Sequence, residues 1–323
     1  MWKIASSVLV SFILLSSAAN AEYIFARQEI LAFESAKMPL NDFLTGKKGE
    51  TVSLAGYLRL PKSDGKNPVV ILFHDAAGVG GEGSELNDWS RVLNEAGIGT
   101  FAVDSFSARG VATLADAGKV SPTTRVVDAY RALELLSKHP LVDANKIAIM
   151  GFSHGGPAAL YSSLVRFQKM HGKSDLQFAA HISVYGSCGT TFLQDEVLSQ
   201  RPVLLLHGIA DNWVPIGPCR EYTARLTKAG VNVRLIEYAD AYHVFDNPAL
   251  GTEPLQRPQA VTGRNCRFTE VEDGSLVNAA TKQPFSPNDP CFEKGTTIAY
   301  NEAAAKKAHE EVKAFLTKVF SAS

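Results

Sequence analysis

The sequence predicts an α/β protein built on a mostly parallel central sheet with helices on both faces. Three observations carry this expectation. Short apolar runs recur along the chain, most of them unbroken and bounded by Gly, Pro, Asp or Asn; a run with no polar alternation fits a strand buried on both faces. Stretches with apolar residues three and four apart lie between these runs, giving a strand and helix alternation that parallel sheets require. Finally, 323 residues at 46% apolar composition can bury a large core, and α/β folds of this length routinely form one domain.

The chain opens with MWKIASSVLVSFILLSSAANA, residues 1–21, which place one positive charge at Lys3, an apolar core, and then Ala19-Asn20-Ala21. That is the layout of a secretory signal peptide with a small-x-small cleavage site. The apolar run is shorter than the roughly 20 residues needed to span a bilayer. The expectation is a mature chain from Glu22 that is secreted or periplasmic, with no membrane association after cleavage and in a compartment that permits disulfides. Four cysteines follow, Cys188, Cys219, Cys266 and Cys291. No pair has the spacing of a metal site, so disulfides are favoured over a metal centre, and four cysteines leave three connectivities open. The net charge of −1, with no run rich in Lys or Arg, gives no electrostatic footprint for nucleic acid.

Candidate strands fall at 52–60, 69–73, 99–103, 146–150, 181–185, 203–206 and 233–238. Leu86, Trp89, Val92 and Leu93 repeat at helical spacing, as do Val126, Tyr130 and Leu133 after Ser121 as cap and Pro122 as first helical residue. A final helix is expected from Asn301 as its cap, with Ala305, Ala308, Val312, Phe315 and Val319 on one face. No repeat or linker interrupts residues 22–323, which read as one domain. The stretch 247–297 is polar and irregular, with Pro254, Pro258, Pro284, Pro287 and Pro290 among its prolines and with Cys266 and Cys291. So long a structureless connection in a compact domain is expected to be a lid or a tied loop.

In sheets of this kind chemistry gathers beyond the carboxyl ends of the strands. Gly151-Phe152-Ser153-His154-Gly155 sits there, after the 146–150 strand and before a helix, the context in which Gly-x-Ser-x-Gly marks a nucleophile. The tight turn exposes the Ser153 hydroxyl beside a helix N-terminus whose N–H groups can hold an oxyanion. A serine needs a base and an acid to hold that base. HGIADNWVP offers Asp211 after one strand and ADAYHVFDN offers His243 after the next, with Asp240 and Asp246 as competing acids. His154 is expected to contribute its backbone N–H to the oxyanion hole rather than its ring. His207 reads as a core histidine or a support to the site, and His171 and His309 as surface positions on helices.

VDANKIAIMGFSHGG, HGIADNWVP and AYHVFD, with VVILFHDAAGVGG and FAVDSFSARG, resemble the dienelactone hydrolase family of the α/β-hydrolase superfamily from about Leu54 to His243 and in the final helix. The resemblance implies an α/β-hydrolase fold, a second oxyanion N–H at Ala76, and a substrate-binding arginine at Arg109. Two positions depart from the family pattern: Ser153 stands where the best-known members have cysteine, and Asn247 where they have a second arginine. The implied activity is hydrolysis of a small-molecule carboxylic ester or lactone through an acyl-enzyme, with no cofactor and no metal. A peptidase using the same triad and a non-catalytic binding protein on this scaffold are the alternatives. Phe106, Phe152, Trp213 and Phe245 flank the triad and suggest an aromatic acyl pocket. In such a fold Cys188 and Cys219 emerge on the same sheet edge, so the expected pairs are Cys188 with Cys219 and Cys266 with Cys291.

Overall fold

The computed structural model describes residues 25–80, 85–173 and 175–322; the expected leader lies outside them. In chain order the elements are β1 (Arg27–Lys37), α1 (Leu40–Leu44), β2 (Glu50–Leu60), β3 (Asn67–Phe73), α2 (Glu85–Glu95), β4 (Gly99–Asp104), α3 (Pro122–Ser137), β5 (Val142–Phe152), α4 (Gly156–Tyr161), α5 (Val165–His171) and β6 (His181–Val184). There follow β7 (Thr190–Thr191), β8 (Val203–Gly208), α6 (Gly217–Lys228), β9 (Val233–Tyr238), β10 (Leu255–Thr262), β11 (Phe268–Glu270), β12 (Leu276–Asn278), β13 (Glu293–Ile298) and α7 (Glu302–Ser321).

Eight strands form the central sheet in the order β1-β2-β4-β3-β5-β6-β8-β9. From β4 to β9 all pairs are parallel, while β1 and β2 add an antiparallel edge. All seven expected strands are in it. β1 was not expected: its apolar run is only Ile30-Leu31-Ala32-Phe33 between polar and charged residues, and few of its positions are buried. The unbroken runs are explained by burial on both faces. Val69, Ile71 and Phe73 of β3 pack in the core under α3, while Val70 and Leu72 pack in the core under α2 and α7.

The helix caps follow the chemistry of their sequence. The Ser121 hydroxyl accepts the Thr123 N–H at 3.2 Å, with Pro122 at the first helical position, and the Asn301 side chain accepts the Ala304 N–H at 3.0 Å. Each satisfies a backbone donor that a helix start leaves open. On α7 the buried face differs slightly from the expected one: Ala304, Ala308, Val312, Leu316 and Phe320 are buried together with Ala305, and Phe315 and Val319 sit at its margin. A strict four-residue spacing is followed where the sequence reading drifted by one.

The stretch 247–297 is not structureless. β10 and β13 form an antiparallel ribbon, and β11 pairs with β12 and, in parallel, with β7. The ribbon's register shifts between Arg257 and Val261, around Pro258, and most of β10 is exposed. Where these strands do bury residues, most are polar, such as Thr262, Glu270, Asn278, Thr296 and Thr297, so no apolar alternation marks them in the sequence.

Candidate active site

The loops after β5, β8 and β9 bring Ser153, Asp211 and His243 together. Ser153 has φ +46°, in the left-handed region that non-glycine residues rarely occupy. The turn that imposes this brings backbone into close contact: a Cβ on Gly151 would lie 2.1 Å from the Gly155 carbonyl oxygen, and one on Gly155 would lie 2.4 Å from that of Phe73. Glycine is therefore required at both positions. Backbone strain concentrated at one residue of a tight turn is typical of a functional site.

Ser153 Oγ lies 2.8 Å from His243 Nε2, and His243 Nδ1 lies 2.7 Å from Asp211 Oδ2. Asp211 Oδ1 accepts the N–H groups of Trp213 and Val214 at 2.9 and 2.8 Å. Burial alone would raise the Asp211 pKa, but the charge of His243 and the hydrogen bonds from His207 and His243 outweigh it and hold the carboxyl well below the ordinary carboxylate range. Asp211 is thus an anion fixed against the imidazole. The competing carboxylates stand elsewhere. Asp240 is exposed, and Asp246 is buried, accepting from the Trp89 indole and the Tyr185 hydroxyl, each at 2.7 Å.

His207 is buried and reaches the Val214 carbonyl at 2.7 Å, so it props the acid loop from beneath. His171 and His309 are corrected from surface positions. His171 is buried, stacked on Phe43, and hydrogen bonded to the Phe43 carbonyl oxygen. His309 is half-buried, with its ring edge-on to Trp89 and Nε2 3.2 Å from Asp88. Both are on helix faces that turn inward.

Ala76 and His154 border the same cleft as Ser153, where their backbone N–H groups were expected. A residue the sequence reading missed lies below them. Arg125, fully buried on α3, donates to His154 Nδ1 at 2.9 Å and to the His74 carbonyl at 2.7 Å, tying together the two loops that carry Ala76 and His154. Burial pulls its own pKa down to about 9. Burial and the Arg125 charge in turn lower His154 to about 3, so that imidazole stays neutral and is held as an acceptor. The signal available in the sequence was an arginine three residues before Asp128 and amid Val126, Ala129 and Ala132, on a helix that is buried along much of its length.

Two of the expected substrate contacts are corrected. The Arg109 guanidinium makes two hydrogen bonds to Asp128, at 2.7 and 2.8 Å, and one each to the carbonyls of Ser105 and Ala36, both at 2.8 Å. The ion pair is buried, with side chains 4% and 0% exposed, so this arginine pins a loop and does not face the cleft. Phe106 is also buried, its ring edge-on to His74 and His154, and it packs against the loops that carry Ala76 and His154. Phe152 and Phe245 are core residues packed against Tyr185. Trp213 does border the cleft, with its ring 5.2 Å from that of His243.

The cleft is about 1090 Å³. One wall is the segment from Gln256 to Arg264, which takes in most of β10 and the two residues after it, and Phe285 and Phe292 add aromatic surface. Among the described residues three arginines border it, Arg257, Arg264 and Arg267, and no carboxylate does. Disulfides join Cys188 to Cys219, clamping the start of β7 to α6, and Cys266 to Cys291, closing the insertion; both Cα separations are 5.0 Å. Such bonds form and persist in oxidising compartments. No group of three or more His, Cys, Asp or Glu suited to a metal ion occurs among the described residues, and no described helix is long and apolar enough to cross a membrane.

Comparison with known proteins agrees with this architecture. Acylamino-acid-releasing enzyme 1 of Oryza sativa subsp. japonica is 26% identical over 156 residues, covering 38% of this chain and 20% of its own. Inactive dipeptidyl peptidase 10 of Rattus norvegicus is 24% identical over 189 residues, covering 49% and 23%. The chain thus spans about a fifth of the length of these curated relatives. Among solved structures, a dienelactone hydrolase-like promiscuous phosphotriesterase from metagenomic libraries superposes with a TM-score of 0.57 at 16% identity, covering 90% of this chain and 98% of its own. The family model for the dienelactone hydrolase family matches residues 54–320, from the second strand through the last helix and across every residue of the site, and so the chain belongs to that family, within the α/β-hydrolase superfamily.

Proposed function

We propose that the protein is a serine hydrolase that cleaves a carboxylic ester or lactone through an acyl-enzyme on Ser153. The observation that carries this reading is the unbroken hydrogen-bonded chain from Ser153 Oγ through His243 to Asp211. In the first half-reaction His243 Nε2 takes the hydroxyl proton as Oγ bonds to the ester carbonyl carbon. Asp211 holds the imidazole in the tautomer that leaves Nε2 free and stabilises the imidazolium that forms. The N–H groups of Ala76 and His154 receive the negative charge on the carbonyl oxygen. The intermediate collapses, the carbon–oxygen bond to the leaving alcohol breaks, and His243 returns the proton to it. Water, deprotonated by the same imidazole, then releases the acid and restores Ser153.

Amide hydrolysis on the same triad is the second reading, favoured by the relatedness to acylamino-acid-releasing enzymes and by a cleft large enough for a peptide end. The intact triad weighs against a purely binding role. Export to an oxidising compartment through the leader at 1–21 fits the two disulfides. The test is a panel of nitrophenyl esters, lactones and acyl-peptides of graded size, run with the mature protein and with Ser153→Ala. Ester or lactone turnover that disappears in the variant supports the reading; turnover of peptides alone transfers the assignment to the peptidase.

A further inference from the structure

The β10–β13 ribbon borders the cleft like a lid, but its contacts are those of a fixed part. It grips the two residues immediately after the acid Asp211 at both of its ends. At one end Thr262 Oγ1 donates to the Trp213 carbonyl at 2.6 Å, and the Trp213 indole Nε1–H donates to the Val261 carbonyl at 3.0 Å. At the other end the Thr297 N–H donates to Asn212 Oδ1 at 2.8 Å, and Asn212 Nδ2 donates to Thr297 Oγ1 at 3.1 Å. A backbone bridge joins His243 itself to Ile298. Thr262 and Thr297 are buried although much of the ribbon is exposed.

These contacts converge on the base. The His243 ring lies between Tyr185, at 5.0 Å, and Trp213, at 5.2 Å, and the indole is held in place by its own hydrogen bond to the ribbon. Hydrogen bonds to Asp211 and Ser153 fix the imidazole in its plane, and the two aromatic rings limit its tilt. Catalysis by proton transfer is sensitive to that alignment, because misplacement by an ångström lowers rates by about a hundredfold.

Resting on the serine-hydrolase reading, we infer that Trp213 is a positioning residue through which the β10–β13 ribbon aligns His243, so that the insertion belongs to the catalytic apparatus. A lid or substrate wall would act on substrate affinity. An aligning ribbon acts on turnover.

The test uses the mature, disulfide-bonded protein and a small neutral ester that does not reach the ribbon wall. Thr262→Val removes the hydroxyl that holds the Trp213 carbonyl, Thr262→Ser restores it, and Trp213→Phe keeps a ring but removes the N–H. The expected result is a fall in kcat of tenfold or more for Thr262→Val and Trp213→Phe with KM within twofold, and recovery to within threefold in Thr262→Ser. Unchanged kcat, or a loss confined to KM, overturns the inference. Should Thr262→Val fail to fold, Trp213→Phe decides the matter alone. A crystal structure of Trp213→Phe gives a readout independent of turnover: an imidazole in more than one orientation supports the inference, and a single orientation bonded to Ser153 as in the parent overturns it. Failure of the hydrolase reading shows separately, as a parent protein without turnover.

Discussion

Replacing Asp211 by asparagine changes one atom at the centre of the site. The Asn Oδ1 can still accept the N–H groups of Trp213 and Val214, now held at 2.9 and 2.8 Å, so the acid loop keeps its anchor. The amide nitrogen takes the place of Oδ2, 2.7 Å from His243 Nδ1, and presents a donor where an acceptor stood. The imidazole answers by carrying its proton on Nε2, which faces Ser153 Oγ at 2.8 Å and can no longer receive the serine proton. In a serine triad this exchange lowers kcat by about 10⁴, equivalent to about 5.5 kcal/mol at 1.36 kcal/mol per decade. Turnover of a nitrophenyl ester and urea unfolding of the same preparation should show kcat falling by three to five decades while the variant remains folded. A variant within tenfold of the parent would refute the argument and move the orienting role to another group.

Arg109→Ala should reduce stability by about 3–5 kcal/mol, because it leaves Asp128 buried without its cation, while KM for small esters stays unchanged; a raised KM with unaltered stability would restore Arg109 to the substrate. His181, 1% exposed, has its pKa lowered from 6.5 to about 4 by burial and by the Arg201 charge. The unfolded chain therefore takes up this proton first, and as pH falls from roughly 6.5 to 4 the group removes about 1.4 kcal/mol of stability per pH unit. Urea unfolding of His181→Asn should show a pH dependence shallower by that slope, and identical slopes would contradict the assignment. With Arg257 and Arg267 bordering the cleft, Arg264 paired with Glu293, and no carboxylate among the described bordering residues, esters with an anionic tail should exceed cationic ones of equal size in kcat/KM by about threefold, a preference that follows from Coulomb attraction at a partly solvated surface; the reverse order would contradict it.

The parts of the site legible in the sequence are those written by local geometry. Gly151-Phe152-Ser153-His154-Gly155 needs its glycines because backbone oxygens lie 2.1 and 2.4 Å from where a Cβ would stand, and such a constraint leaves a short motif. Asp211 and His243 follow directly from strands whose apolar runs are easy to read. Residues whose role depends on who lies across the fold were not legible. Arg109 sits in a loop, and only the structure shows Asp128 of α3 closing on it. Arg125 is one arginine in a helix until His74 and His154 are placed above it. The strands of the insertion stayed hidden because β10 is largely exposed and the buried positions of the set are mostly polar, Thr262, Glu270, Asn278, Thr296 and Thr297 among them, and the grip of Thr262 and Thr297 on the acid loop joins positions far apart in sequence.

In the proposed reaction Ser153 is the nucleophile, and its reactivity can be tested directly. A fluorophosphonate offers its phosphorus to an activated serine, and displacement of fluoride leaves a covalent adduct that mass spectrometry of peptides locates. The mature protein should gain a single adduct on the peptide carrying Ser153, with none in Ser153→Ala and a much slower gain in Asp211→Asn. An unmodified parent, or an adduct of equal yield in Ser153→Ala, would contradict the claim.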